Sequence, residues 1–139
     1  MPSRPPFALE GLDHILLLVE DLAAVEPFYR DVIGCSVENA LPEYGMLQLR
    51  TGKALIDLVD VSVEEGAWAR PSAKGGRNMD HICIATGPWD ETAMRAHLAA
   101  YDVAIVEEGV HGGARGESLS IYVADPSGNV IELKGPPAQ

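Results

Sequence analysis

The sequence predicts an α+β fold built from two copies of a β-α-β-β-β unit. The tetrapeptide Leu12-Asp13-His14-Ile15 opens one apolar run, and Met79-Asp80-His81-Ile82 opens another. Each copy also ends on a strand-like segment with a carboxylate among its apolar residues, Asp57 in the first copy and Glu132 in the second. Two copies of one unit can bury a common surface that neither could bury alone.

Composition agrees with one compact domain over residues 1–139. The chain has 47% hydrophobic and 22% charged residues, which is ordinary for a globular protein. Within it we predict module 1 at about residues 11–61 and module 2 at about residues 78–135. The net charge of −11 disfavours binding to nucleic acid or to anionic membranes, because both require clustered Lys and Arg. The two cysteines form no C-x-x-C motif, so neither a zinc ribbon nor a disulfide framework is indicated.

The first two elements of module 1 follow from an apolar run and then a helical stripe. Leu12 to Val19 is a nearly continuous apolar run, short enough to be a strand covered on both faces. Asp21 is a suitable N-cap for the helix that follows. Because Pro27 would be costly in a helix interior, we predict that the regular helix begins near Val25 and ends at Gly34.

The remaining elements complete the same order twice. Three short strands close module 1, and the stretch from Ser62 to Asn78 lacks any period and is predicted to connect the modules. In module 2, Pro88 is suited to the first turn of the helix. The predicted strands outside the first are Val37 to Leu41, Gly45 to Arg50, Ala54 to Val61, Met79 to Ala85, Val103 to Val106, Glu117 to Ala124 and Val130 to Lys134.

With these motifs, the chain resembles the vicinal oxygen chelate superfamily, which includes glyoxalase I, fosfomycin-resistance proteins, methylmalonyl-CoA epimerase, extradiol dioxygenases and bleomycin-binding proteins. The resemblance covers roughly Leu12 to Lys134. It includes the phrases Phe28-Tyr29-Arg30-Asp31-Val32-Ile33-Gly34 and Asp125-Pro126-Ser127-Gly128-Asn129-Val130-Ile131-Glu132-Leu133. It implies two βαβββ modules that form a U-shaped cavity around a divalent metal, often completed across a homodimer.

Carried over position by position, the resemblance implies a metal-ligand set. His14 and His81 match the histidine ligands of the two modules, and Glu132 matches the carboxylate of the final strand. Asp57 stands where glyoxalase-like members place a glutamate, so it is expected as a fourth ligand, a general base or an acceptor that orients a histidine. We take Glu132 and Asp57 as the candidate catalytic residues.

Further residues are candidates for contact with the substrate. Glu43 precedes a strand that borders the cavity in relatives and could contact the substrate there, although the sequence favours a surface turn. Arg115 lies in a Gly-rich loop and could meet a carboxylate or phosphonate. Tyr122 could line the cavity or face solvent. His97 is expected to be exposed, and Cys83 to be a small buried side chain.

Two imidazoles and one carboxylate leave coordination positions open for two substrate oxygens. We therefore expect a lyase or isomerase of glyoxalase type that uses zinc, nickel, cobalt, manganese or iron. An Fe(II)-dependent ring-cleaving dioxygenase is one alternative, because the same ligand set serves such enzymes. A non-catalytic drug- or metabolite-binding protein is the other, although such relatives usually lack the ligand set. The sequence shows no export signal or bilayer-length apolar segment, so a cytoplasmic location is expected.

Overall fold

The computed structural model describes residues 11–70, 79, 81–112 and 114–137, and these contain two four-stranded mixed sheets. In each sheet the first strand of the module pairs in parallel with the last, and the other pairs are antiparallel. This confirms the predicted α+β fold of two βαβββ modules. The first sheet, in the order β1-β4-β3-β2, has β1 (His14–Val19), β2 (Ser36–Leu41), β3 (Met46–Thr51) and β4 (Ala54–Asp60). The second, in the order β5-β8-β7-β6, has β5 (Ile82–Ala85), β6 (Glu107–His111), β7 (Ser118–Ala124) and β8 (Val130–Lys134).

The helix of module 1 begins earlier than predicted. Helix α1 spans Leu22–Pro27 and continues as π-helix over Phe28–Ile33, so the prediction of a start near Val25 was wrong. Pro27 has no N–H to donate, and from this point the chain changes to the wider hydrogen bonding of a π-helix. Gly34, with a φ of 96°, ends the helix as predicted.

Asp21 is the N-cap residue of α1, as predicted, but it adopts a φ of 57° and its side chain does not cap the helix. Instead, Asp60 at the end of β4 accepts a hydrogen bond at 2.9 Å from the backbone N–H of Leu22. The carboxylate of Asp60 also accepts the backbone N–H of Ser62 at 3.0 Å. A residue 38 positions away in the chain therefore satisfies the helix terminus.

In module 2, two local predictions were wrong. Helix α2 spans Glu91–Ala100 and is capped by the side chain of Asp90, which leaves Pro88 before the helix rather than in its first turn. The segment from Val103 to Val106 is not a strand, and β6 begins only at Glu107. Among the described residues, no helix is long and apolar enough to cross a membrane.

One hydrophobic core joins the two modules. The helix of module 1 packs with the apolar faces of both sheets in a single cluster. Because side chains alternate between the faces of a strand, the opposite and more polar face of each sheet is turned away from this shared core. The largest fully buried side chains are Tyr29, Leu49, Leu58, Leu98, Ile121 and Ile131.

The turn between β7 and β8 connects the modules through polar contacts. The carboxylate of Asp125 accepts the backbone N–H groups of Ser127 and Asn129, both at 2.8 Å. It also accepts the hydroxyl of Tyr29 at 2.7 Å, and Asn129 donates its side-chain amide to the carbonyl of Leu18 at 3.1 Å. Burial, followed by the charge of Asp125, raises the pKa of Tyr29. The turn motif between β7 and β8 therefore links the two modules through hydrogen bonds.

Candidate metal centre

The two predicted ligands of module 2 meet on the polar face of its sheet. His81 Nε2 lies 3.1 Å from Glu132 Oε1. On the other side of the carboxylate, Ser120 Oγ donates to Glu132 Oε2 at 2.6 Å. Strand register places Cys83 on β5 and Tyr122 on β7 directly beside Glu132. Glu132 is only 4% exposed, so protein groups hold this carboxylate in place.

The environment of Glu132 keeps it ionised. Burial acts to raise its pKa, but hydrogen bonding from Ser120, Tyr122 and Cys83, together with the charge of His81, lowers the pKa below its ordinary value. A carboxylate must be deprotonated to bind a metal. Glu132 is therefore in the protonation state that metal binding requires at neutral pH.

Tyr122 stands between two histidines on the same face. Its ring is 5.3 Å from that of His81 and 5.5 Å from that of His111, and both contacts are edge-to-face. Desolvation, followed by hydrogen bonding to Glu132, raises the pKa of Tyr122 to about 12. Its hydroxyl therefore remains protonated at neutral pH, and the residue lies beside Glu132 where a substrate contact is possible.

The corresponding residues of module 1 lie at equivalent positions in the other sheet. Register places Leu16 beside Asp57 just as it places Cys83 beside Glu132. His14 Nδ1 lies 2.7 Å from Asp13 Oδ1. This hydrogen bond, followed by the charge of Asp57, raises the pKa of His14.

Asp57 holds the feature of module 1 that best fits a metal. The side chain is 3% exposed. Gln48 Nε2 approaches Asp57 Oδ2 at 3.4 Å, while Asp57 Oδ1 is buried and has no hydrogen-bond partner among the described residues. A buried carboxylate oxygen without a partner is costly. Asp57 Oδ1 is therefore suited to accept a cation, or a donor, that comes from outside the described chain.

The two halves do not combine within one chain. Among the described residues, no three His, Cys, Asp or Glu side chains come together in a way that could hold a metal ion. The structure thus brings His81 to Glu132 and places the charge of Asp57 near His14, as two separate half-sites. We use the term half-site below for each of these two pairs.

The other two candidates, Arg115 and Glu43, lie in segments between strands. Arg115 donates through Nη2 to the carbonyls of Thr86, Lys134 and Gly135, at 3.2, 3.1 and 3.3 Å. Glu43 is exposed in a short 3-10 turn, Pro42–Tyr44, between β2 and β3.

Two minor expectations were wrong. His97 donates from Nε2 to the carbonyl of Val32 at 2.8 Å and is partly buried rather than exposed. Cys83 is exposed rather than buried, because β5 is an edge strand and leaves the polar face open there.

Sequence reasoning missed one polar residue on the polar face of each sheet. Lys134 is 4% exposed and its Nζ donates to the carbonyl of His111. Gln48 lies beside Asp57 in the neighbouring strand. The alternation of side chains along β8 places Lys134 on the same face as Glu132, so this signal was available in the sequence.

Comparisons with known proteins agree with this architecture. The model of the Glyoxalase/Bleomycin resistance protein/Dioxygenase superfamily matches residues 11–133. Virulence protein STM3117 of Salmonella typhimurium is 29% identical over 126 residues, which cover 90% of this chain and 83% of that protein. Its crystal structure superposes with a TM-score of 0.75 at 25% identity, over 94% of this chain and 100% of that one.

Three further relatives carry the names of enzymes. Lactoylglutathione lyase from Agrobacterium tumefaciens has a TM-score of 0.64 at 27% identity, over 94% of this chain and 95% of that one. Mitochondrial methylmalonyl-CoA epimerase of Mus musculus is 26% identical over 140 residues, 95% of this chain and 76% of that protein. Fosfomycin resistance protein FosX from Listeria monocytogenes, at 19% identity, shares the fold. The chain covers only 35% of metapyrocatechase 2 of Cupriavidus necator, at 26% identity.

Proposed function

Because the chain belongs to the Glyoxalase/Bleomycin resistance protein/Dioxygenase superfamily, the vicinal oxygen chelate superfamily, we propose that it is a divalent-metal-dependent enzyme of glyoxalase type. It acts as a lyase or isomerase on a small substrate that binds the metal through two neighbouring oxygens. Members of the superfamily include glyoxalase, epimerase, fosfomycin-resistance and dioxygenase proteins. The family therefore supports the scaffold, and the choice of reaction rests on the site.

The observation that carries the proposal is the pair of equivalent half-sites. One holds His81 and Glu132 at 3.1 Å, and the other holds Asp57 with a buried, unpartnered Oδ1 near His14. Imidazole and carboxylate groups suit zinc, nickel, cobalt, manganese and iron alike. The donor set therefore fits a divalent metal, and does not by itself select one.

We further propose that the site forms across a homodimer. The polar faces that carry the half-sites are turned away from the shared core, and the described residues of one chain do not bring the two half-sites together. In a two-fold dimer the same contact occurs twice, and each contact can join a half-site of one protomer to the other half-site of its partner. His14 and Asp57 from one protomer would then hold the metal with His81 and Glu132 from the other.

The chain's own residues supply the rest of the chemistry. A bound divalent metal would act as a Lewis acid on the chelated substrate oxygens. Ser120 holds one oxygen of Glu132, so the other oxygen is directed at His81 and the metal position. The Tyr122 hydroxyl donates its proton to Glu132, so it is suited to accept a hydrogen bond from a substrate hydroxyl through its oxygen. Asp57, buried and with one free oxygen, is the candidate to accept a proton or to complete the ligand set.

Removal of one histidine tests the metal site. We expect His81→Ala to lose most bound metal, measured by elemental analysis of protein purified without added chelator. His97→Ala is the matched control, because His97 contacts Val32 and lies outside both half-sites. Full metal stoichiometry in His81→Ala would contradict the ligand assignment.

The metal identity separates the alternatives. Iron together with oxygen consumption would favour the dioxygenase, which the match to metapyrocatechase 2 keeps as a second candidate. Zinc, nickel, cobalt or manganese would favour the lyase or isomerase. Absence of metal from the purified wild-type protein would favour a non-catalytic binding protein.

A further inference from the structure

Two cations without an acidic partner lie beside the polar face of module 2. Among the described arginines, Arg30, Arg50 and Arg95 form ion pairs with carboxylates at 3.0 Å or less, and the exposed Arg70 donates to a main-chain carbonyl. The described contacts of Lys134 and Arg115 are likewise all with main-chain carbonyls. In a chain with a net charge of −11, a lysine that is buried without a carboxylate partner requires an explanation.

Burial makes the charge of Lys134 the more significant of the two. Arg115 is exposed, so water can compensate its charge, but Lys134 is 4% exposed. An ammonium group has three N–H donors, and the described contacts give this one a single acceptor, the carbonyl of His111. A buried charge is expensive unless hydrogen bonds or an opposite charge compensate it. Lys134 therefore has donors left for an anion.

The neighbours of Lys134 leave space around its side chain. Register places Ala85 on β5 and Ser120 on β7 beside it, and Gly109 on β6 beside Ser120. All three are small. Since β7 lies between β8 and β6, the side chain of Lys134 must cross β7 to reach the carbonyl of His111. The Lys134 side chain therefore extends across β7 above small residues.

Lys134 is also adjacent to the proposed metal position. It follows Glu132 by two residues on the same face of β8, a separation of roughly 7 Å along the strand. Strand register places Cys83 of β5 beside Glu132 and Ala85 of β5 beside Lys134. An anionic group held by Lys134 would be close to oxygens chelated at the metal.

We propose that Lys134, with Arg115 beside it, binds an anionic oxygen group of the substrate. The substrate is then a small organic acid that offers neighbouring oxygens to the metal and a further carboxylate, phosphonate or phosphate group to these cations. This inference rests on the proposed function for the metal, but the anion site consists of residues of module 2 only. It makes Lys134 a specificity-determining residue that selects charged substrates over neutral ones of the same shape.

Titration of simple anions into metal-free protein tests the site. Inorganic phosphate, acetate and the neutral analogue acetamide would be added to the ¹⁵N-labelled full chain after chelator treatment, and amide shifts followed by NMR. We expect saturable binding of phosphate or acetate and none of acetamide. The anion that binds more tightly indicates whether a phosphonate-like or a carboxylate group is selected. Acetamide binding as tightly as acetate would overturn the proposal.

Substitution identifies the residue responsible. Lys134→Met keeps the length of the stem and removes the charge, so we expect anion binding to weaken about tenfold or more, as for loss of a charged hydrogen bond. Lys53→Met, at the exposed turn between β3 and β4, is the control and should bind anions like the wild type. Unchanged affinity in folded Lys134→Met would overturn the proposal. If that variant fails to fold, Arg115→Gln takes its place, and unchanged affinity in that variant overturns the proposal instead.

Metal content keeps the two proposals separable. Wild-type protein that binds anions but no metal would contradict the proposed function and leave the anion site intact. Lys134→Met that binds metal fully and anions as the wild type does would refute the anion site alone. A purely structural lysine would change the free energy of unfolding without changing anion affinity.

Discussion

At the scale of single residues, the site depends on small polar side chains that carry no chemistry themselves. Ser120 is fully buried and directs the carboxylate of Glu132 through a 2.6 Å hydrogen bond. Groups that orient a metal ligand commonly change metal affinity by about 10- to 100-fold when removed. The affinity of the candidate site is therefore expected to depend on Ser120 as well as on the ligands.

We predict that Ser120→Ala lowers metal affinity by about tenfold, because Glu132 loses the donor that fixes one of its oxygens. Competition with a metal-sensitive chelator dye would measure the change. Ser118→Ala is the control, since Ser118 lies two residues away on β7 and donates to the carbonyl of Gly135 at 2.6 Å rather than to Glu132. Equal losses in both variants would show a general effect on the sheet, contrary to the prediction.

The sequence could identify some residues of the site and not others. His81 and Glu132 were predictable because each has a counterpart at the equivalent position of the other module. Lys134 has no such counterpart signal, and a lysine at the end of a strand is ordinarily a solvated residue. Its side chain lies over small residues of the neighbouring strands and reaches the carbonyl of His111, an arrangement that only the sheet register and the tertiary contacts reveal.

At the scale of elements, strands were predicted more accurately than helix ends. Apolar alternation is local, so the predicted bounds of β8 are those observed, and those of β4 differ by one residue. The start of α1 depends on Asp60, which lies in another element and whose role has no local signal. Helix termini capped from a distance are therefore the part of this fold that sequence reasoning could not supply.

We predict that Asp60→Ala destabilises the protein by about 1–2 kcal/mol at pH 7, the usual cost of losing a helix cap. Burial acts to raise the pKa of Asp60, but hydrogen bonds from Ser62 and Leu22 lower it overall. Folding therefore favours the ionised form. The resulting stabilisation is fully present above the unfolded pKa, about 3.9, and is lost as the pH falls through the lower folded value.

Urea unfolding at pH 7 and pH 3 measures this effect. The difference in free energy of unfolding between wild type and Asp60→Ala should be smaller at pH 3. Asp60→Asn keeps an acceptor for the N–H of Leu22 without the charge, so it should recover part of the loss at pH 7 and reduce the dependence on pH. A constant difference between wild type and Asp60→Ala at both pH values would refute the role of ionised Asp60.

At the scale of the whole molecule, the duplicated units meet through their apolar faces. The sequence predicted two equivalent modules, but it could not show which face of each module would be shared, because both faces of β1 and β4 are rich in apolar residues. The structure uses one face of each sheet for the core and leaves two half-sites on the other faces. Assembly, and not chain folding, is therefore the proposed step that completes the metal site.

Mixing of two inactive variants tests this assembly. If each site takes His14 from one protomer and His81 from its partner, a mixed dimer of His14→Ala and His81→Ala has one site with both substitutions and one intact site. After unfolding and refolding together in equal amounts, about half of the dimers are mixed, so about a quarter of all sites should regain metal. Elemental analysis measures the recovery, with each variant refolded alone as the control. No recovery in mixed dimers isolated with two different tags would contradict a shared site.

The hydrogen bond between Tyr29 and the turn at Asp125 bears on how enzyme functions are assigned from sequence alone. Because this turn motif has a structural role, chains that carry it are expected to share the fold. They need not catalyse the same reaction. An assignment of reaction that relied on this motif alone would group enzymes that catalyse different reactions. We expect relatives that catalyse different reactions to differ on the open faces of the sheets, at positions such as Cys83, Lys134 and Gln48.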